Sequence, residues 1–127
     1  GPAKLIEALD KVRDSYNVNG LGQVAAEMTL KQMPYYRANF RKIIELRERT
    51  TEQLTALGFQ TLPSATNFIL TKPSRFAART WLMRLRERKI LVRWLTDKRV
   101  KNFLRITIGS EREMAALLRA VKAILKG

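Results

Sequence analysis

The sequence predicts an α/β fold, a two-layer α/β sandwich preceded by connecting helices. Three observations lead there. Short β-like runs at 59–62, 67–70, 89–95 and 103–108 alternate with helical patterns through the last part of the chain. Hydrophobic residues make up 46% of the 127, enough for the core of one compact domain. The opening residues have helical patterns but no strand to pack on locally, so residues 1–33 read as a helical connection and 34–127 as the α/β domain.

The elements follow in order. In residues 4–14, KLIEALDKVRD, Leu5, Ile6, Leu9 and Val12 share one helical face. SYNVNG breaks that pattern, and Asn19 suits the N-cap of a second helix whose apolar stripe is Leu21, Val24 and Met28. Pro34 begins a longer helix, with Phe40, Ile43, Ile44, Leu54 and Leu57 among its apolar members and Gly58 just past its end. Residues 59–62 read as a strand stopped by Pro63, and 67–70, NFIL, as another closed by Lys72 and Pro73. Ser74 is the expected N-cap of a helix running through Arg88, with Ala78, Leu82 and Leu85 inward. Two arginine-bearing strands come next. Ser110 and Glu113 then fit a capping box, S-x-x-E, opening a last helix with Met114, Leu117, Leu118, Val121, Ile124 and Leu125 on one face. Trp81 and Trp94 read as core or rim packing, and Tyr35-Tyr36 as a hinge or packing feature.

Composition excludes much chemistry. The chain contains no cysteine, so disulfides, thiolate nucleophiles and Cys-type zinc sites are ruled out. It contains no histidine either, which removes the usual general base and the commonest metal ligand. No apolar run approaches the ~18 residues of a membrane span and no signal-peptide pattern opens the chain, so the expected location is the cytoplasm, with no membrane partner. Neither G-x-x-x-x-G-K-[ST] nor G-x-G-x-x-G occurs. Lys plus Arg number 25 against 11 Asp plus Glu, a net charge of +14. That excess either attracts a polyanion, nucleic acid included, or decorates solvated helix faces.

The sharpest local chemistry lies in KILVRWL and FLRITI. Each run places one arginine, Arg93 and Arg105, among apolar and β-branched neighbours, where an unpaired guanidinium is costly. Arginine is suited to fork-like recognition of carboxylate or phosphate, and the helix start beyond Gly109 also favours anions. The expected ligand is therefore a small molecule bearing phosphate or carboxylate. The competing reading is a structural ion pair with Asp97 or Glu113. Asn67 and Asn19 are secondary candidates, each also at home in a turn or cap.

Several segments together are recognisable. LIEALDKVRDSYNVN, LPSATNFIL, RERKILVRW and FLRITIGSEREMAALLRAVKAIL stand in the order found in histidinol-phosphate aminotransferases, pyridoxal-phosphate (PLP) enzymes of the class I/II aminotransferase family, which the chain resembles from Lys4 to Leu125. The resemblance implies the small C-terminal α/β domain of such an enzyme and the helices leading into it. It implies that Arg105 of LRITIG grips the substrate's anionic group and that Arg93 of VRW is a second phosphate contact. It also implies that the Schiff-base lysine, the pyridine-nitrogen aspartate and the cofactor-binding tyrosine lie upstream of these segments. PLP is then the cofactor of the parent family, with no cofactor held and no transamination expected by this chain alone. The implied partners are the large domain or a second subunit. Gly20 replaces a common family arginine in NVNRL, Leu95-Thr96 a frequent Phe-Ser, and Lys98 a proline. Two alternatives accompany this reading: a stand-alone basic domain binding nucleic acid or another polyanion, and a piece of another class I/II PLP enzyme such as an amino-acid phosphate decarboxylase. The uncovered apolar stripe of the opening helices is expected either to fold back or to mediate self-association into a homo-oligomer.

Overall fold

The structure, a computed structural model, describes residues 1–127. It divides into two compact units, Gly1–Ala38 and Asn39–Gly127.

The first unit holds α1 (Ala3–Val12), α2 (Gly20–Lys31) and the start of α3 (Met33–Ala56). The Asn19 side chain accepts a hydrogen bond from the Gly22 amide at 2.7 Å, as its position before the helical pattern predicts. Gly20 opens α2 with nothing within 4 Å of an added Cβ, so backbone packing does not demand glycine there. The apolar stripes stay uncovered: Leu5 is 54% exposed, Leu9 53% and Val24 59%. Tyr35 and Tyr36 pack edge to face, 5.3 Å apart.

In the second unit α3 ends on a glycine for a conformational reason. Gly58 adopts φ +84, its amide donates to Thr55, and the Phe59 amide reaches back to Leu54 at 3.0 Å. These two bonds satisfy carbonyls that the last helical turn leaves open. The chain then forms β1 (Gln60–Thr61), β2 (Phe68–Lys72), α4 (Ala78–Glu87), β3 (Arg93–Trp94), β4 (Leu104–Thr107) and α5 (Glu111–Lys126). The strands make one antiparallel sheet in the order β1-β2-β4-β3.

Alternation gives the sheet two unlike faces. Ile69, Thr71, Leu104 and Ile106 point to the helices and are at most 3% exposed. There they meet Leu54 of α3, Trp81 and Leu85 of α4, and Met114, Leu117, Val121 and Ile124 of α5 in one core. Thr71 is tolerated at 0% exposure because its hydroxyl pairs with that of Thr61, directly opposite in the register, at 2.8 Å. The other face carries Phe68, Leu70, Arg93, Arg105 and Thr107, and within this unit the helices pack on the opposite side. The result is the expected two-layer α/β sandwich, helices on one side of a small sheet.

Element boundaries differ from the sequence reading, most clearly around α4 and in the strands. Ser74 does not cap α4: the N-cap is Ala77, and the Ser74 hydroxyl instead donates to the Leu57 carbonyl at 3.2 Å. Arg75, at φ 64, turns the chain between them. The two arginine-bearing runs shrink to two and four paired residues, because β3 is an edge strand with only β4 beside it. Strand β2 runs on to Lys72, where β1 supplies partners that periodicity does not reveal.

Candidate functional site

The open sheet face assembles from three strands. In β4, Arg105 lies between Leu70 of β2 and Arg93 of β3, each its direct cross-strand partner. The two guanidiniums therefore spring from neighbouring strands, about 4.8 Å apart, on the same face. Like charges placed opposite one another repel, and neither is neutralised within the chain. Asp97 pairs with Arg99 at 3.1 Å, and Glu113 accepts from the Ser110 amide and hydroxyl, each at 2.7 Å. The competing ion-pair reading of the sequence is thereby removed.

Both carboxylates are held in the charged form by these contacts. Asp97 lies below its ordinary range, first because of the Arg99 side chain and then the Arg99 amide. Glu113 is lowered first by the Ser110 amide and then by its hydroxyl.

Phe68 completes the face. The Arg105 guanidinium lies over its ring, 4.3 Å from the centroid, and is half-buried there. Arg93 stays exposed, with Thr107 further along the same face. The sequence reading places Phe68 in a strand but not among the site residues. Its signal is register: it sits opposite Thr107, two positions from the Leu70–Arg105 pair, and only strand pairing brings it under Arg105.

The secondary candidates separate from this pair. The Asn67 carbonyl accepts from the Ile108 amide at 2.8 Å and its side chain is exposed, three positions along from the Arg105 row. Asn19 belongs to the other unit, where its side chain is engaged in capping α2. The helix start beyond Gly109 does not join the two arginines. The Glu113 carboxylate already occupies the α5 cap, and an added Cβ at Gly109 would fall 2.5 Å from it.

Two cavities of about 380 Å³ lie on the helix side of the sheet, one between α3 and α5 and one between residues 89–92 and α5; neither arginine lines them. The paired guanidiniums thus stand on an open sheet face, outside both cavities. No group of three or more metal-ligating side chains is present, and no helix is long and apolar enough to cross a membrane.

The profile of the family described as aminotransferase class I and II matches residues 1–124. The chain belongs to the class I and II aminotransferases. A histidinol-phosphate aminotransferase from Synechocystis is 42% identical over 97% of this chain, which covers 35% of that relative. A candidate aminotransferase from Burkholderia pseudomallei superposes with a TM-score of 0.86 at 31% identity, over 98% of this chain and 38% of that one. The histidinol-phosphate aminotransferase of Sinorhizobium meliloti, solved in complex with pyridoxal-5'-phosphate, superposes with a TM-score of 0.79 at 26% identity, over 93% of this chain and 34% of that one. The aminotransferase segment seen here therefore spans about a third of the length of the relatives it matches, 35% for the Synechocystis protein.

Proposed function

We propose that this chain is the substrate-gripping part, the small domain with its helical lead-in, of an enzyme that exchanges an amino group between histidinol phosphate and a 2-oxo acid. One observation carries the reading: Arg93 and Arg105 are direct cross-strand partners on the uncovered sheet face, with no acid to neutralise them. A phosphate or carboxylate between the two forks relieves their repulsion and gains charge-assisted hydrogen bonds. Arg105, fixed over Phe68, sets the plane of the anion, and the freer Arg93 closes on it from the sheet edge. Held there, the substrate's amine projects away from the sheet, toward whatever surface covers this face.

The open face does not fit PLP itself. The cofactor's chemistry as an electron sink requires an imine lysine and a carboxylate toward the pyridine nitrogen. The strand residues of this face include Lys72, exposed and without a hydrogen-bond partner, and no carboxylate. We infer that the cofactor is held by the large domain or a second subunit, which also supplies the covering surface, and that the enzyme works in the cytoplasm. The exposed stripe of Leu5, Ile6 and Leu9 is the natural seat for that partner or, in its absence, for a second copy.

Amide-resolved NMR titration of the chain with histidinol phosphate at moderate salt tests the reading. Saturable shifts on residues 91–95 and 103–107, reduced with histidinol and lost in Arg105→Gln, are expected. Shifts scattered over the basic helices, or unchanged in Arg105→Gln, would overturn it.

A further inference from the structure

The helix side of the sheet carries charge that the arginine pair does not use. Of the 25 Lys and Arg residues, only Arg13, Lys31, Arg49, Arg88 and Arg99 have a carboxylate within 4.0 Å. Four of the remaining twenty, Arg112, Arg119, Lys122 and Lys126, are ordered along α5. Arg112, Ala115, Arg119, Lys122 and Lys126 are all exposed, and their spacing of three and four residues places them on one stripe. At 1.5 Å per residue the stripe is roughly 21 Å long. Both acids of α5, Glu111 and Glu113, sit in its first turn and are engaged by Arg49 and by Ser110.

We propose that this stripe docks the phosphate backbone of nucleic acid. A duplex carries one charge per ~1.7 Å of axis, so a row of about 21 Å faces roughly six phosphates of one strand. The helix is rigidly seated by its other side, where Met114, Leu117, Val121 and Ile124 are buried in the core. That burial also decides against a lipid surface. A basic amphipathic helix binds membranes by inserting its apolar face, and here that face is closed. The surface is independent of Arg93 and Arg105, which project from the opposite side of the sheet.

The test is fluorescence anisotropy of a labelled 20-base-pair DNA duplex with the whole chain, across ~50 to 200 mM NaCl. Four phosphate contacts give a slope of log K on log salt of about −3.6, close to a 150-fold loss of affinity over that range. The variant R112Q/R119Q/K122Q/K126Q, checked for retained helix by circular dichroism, loses most of that slope. R119Q/K122Q, the milder pair, lowers it by about 2. A matched variant without four exposed cations elsewhere, K4Q/K11Q/R37Q/R41Q, keeps the slope within about 1. Equal losses in the two quadruple variants would mean that net charge alone binds, and the proposal falls. It also falls if the duplex is not bound at the lowest salt, or if anionic phospholipid vesicles are bound more tightly than DNA.

Discussion

Replacing Arg93 by Gln should stabilise the protein while weakening its hold on anions. Arg93 and Arg105 are direct cross-strand partners, and no acid lies within ion-pair distance of either. Two unit charges about 6 Å apart repel by roughly 0.7 kcal/mol in water-like surroundings. Salt screening lowers this, and like charges opposite one another in a sheet cost about 0.2–1 kcal/mol. Arg93 is exposed, so the lower half of that range applies and removal gains about 0.5 kcal/mol. For a domain of roughly 60–100 residues, the class of the Asn39–Gly127 unit, this raises Tm by about 2–4 °C. Inorganic phosphate should reverse the ranking. With a site Kd of about 1 mM, 10 mM phosphate stabilises the parent chain by about 1.4 kcal/mol, and the variant by much less. Differential scanning calorimetry in phosphate and in chloride of equal ionic strength reads both effects, and comparing the two proteins removes the general salting effect of phosphate. A lower Tm for Arg93→Gln in chloride, or equal phosphate stabilisation of both proteins, would refute the reasoning.

Trp81 is 0% exposed, packs edge to face on Phe59 at 5.0 Å and donates from Nε1 to the Ser74 carbonyl at 2.8 Å. Trp81→Phe keeps the apolar contact but leaves a cavity and removes that bond, and urea unfolding should show a loss of about 2–3 kcal/mol. Because Phe76 also donates to Ser74, the carbonyl keeps a partner, and a loss above about 5 kcal/mol would contradict this account. Lys89 terminates α4 at φ 60, with its amide donating to Arg86 and the Ile90 amide to Leu85. Lys89→Gly should therefore stabilise by about 0.5–1 kcal/mol in the same assay, against the usual destabilising effect of glycine. Glu113 is held below its ordinary range in the folded chain by the Ser110 amide and hydroxyl. A depressed folded value means its contribution is present above the unfolded pKa and is lost as pH falls through the folded one. Acid titrations of stability should flatten below the usual glutamate range in Glu113→Gln, and an unchanged acid limb would show that the capping box is not its source.

The order of elements was legible along the chain because each has a local cause. The α5 capping box, the Gly58 stop of α3, the Asn19 cap and the apolar stripe of α5 all arise from neighbours within a few residues, and all appear where the sequence places them. Arg93 and Arg105 were legible as misfits, charged residues in β-like runs. Their direct pairing was not, because strand register depends on partners far apart in sequence, and a shift of one residue sends every side chain to the other face. The same holds for Phe68 beneath Arg105, and for Ser74, which leaves the α4 cap to bond Leu57 across a tertiary contact. The sequence by itself thus determined the layers and the family; the tertiary structure decided that two like charges share one uncovered face, because only the folding of β2, β3 and β4 into one sheet sets which side chains meet.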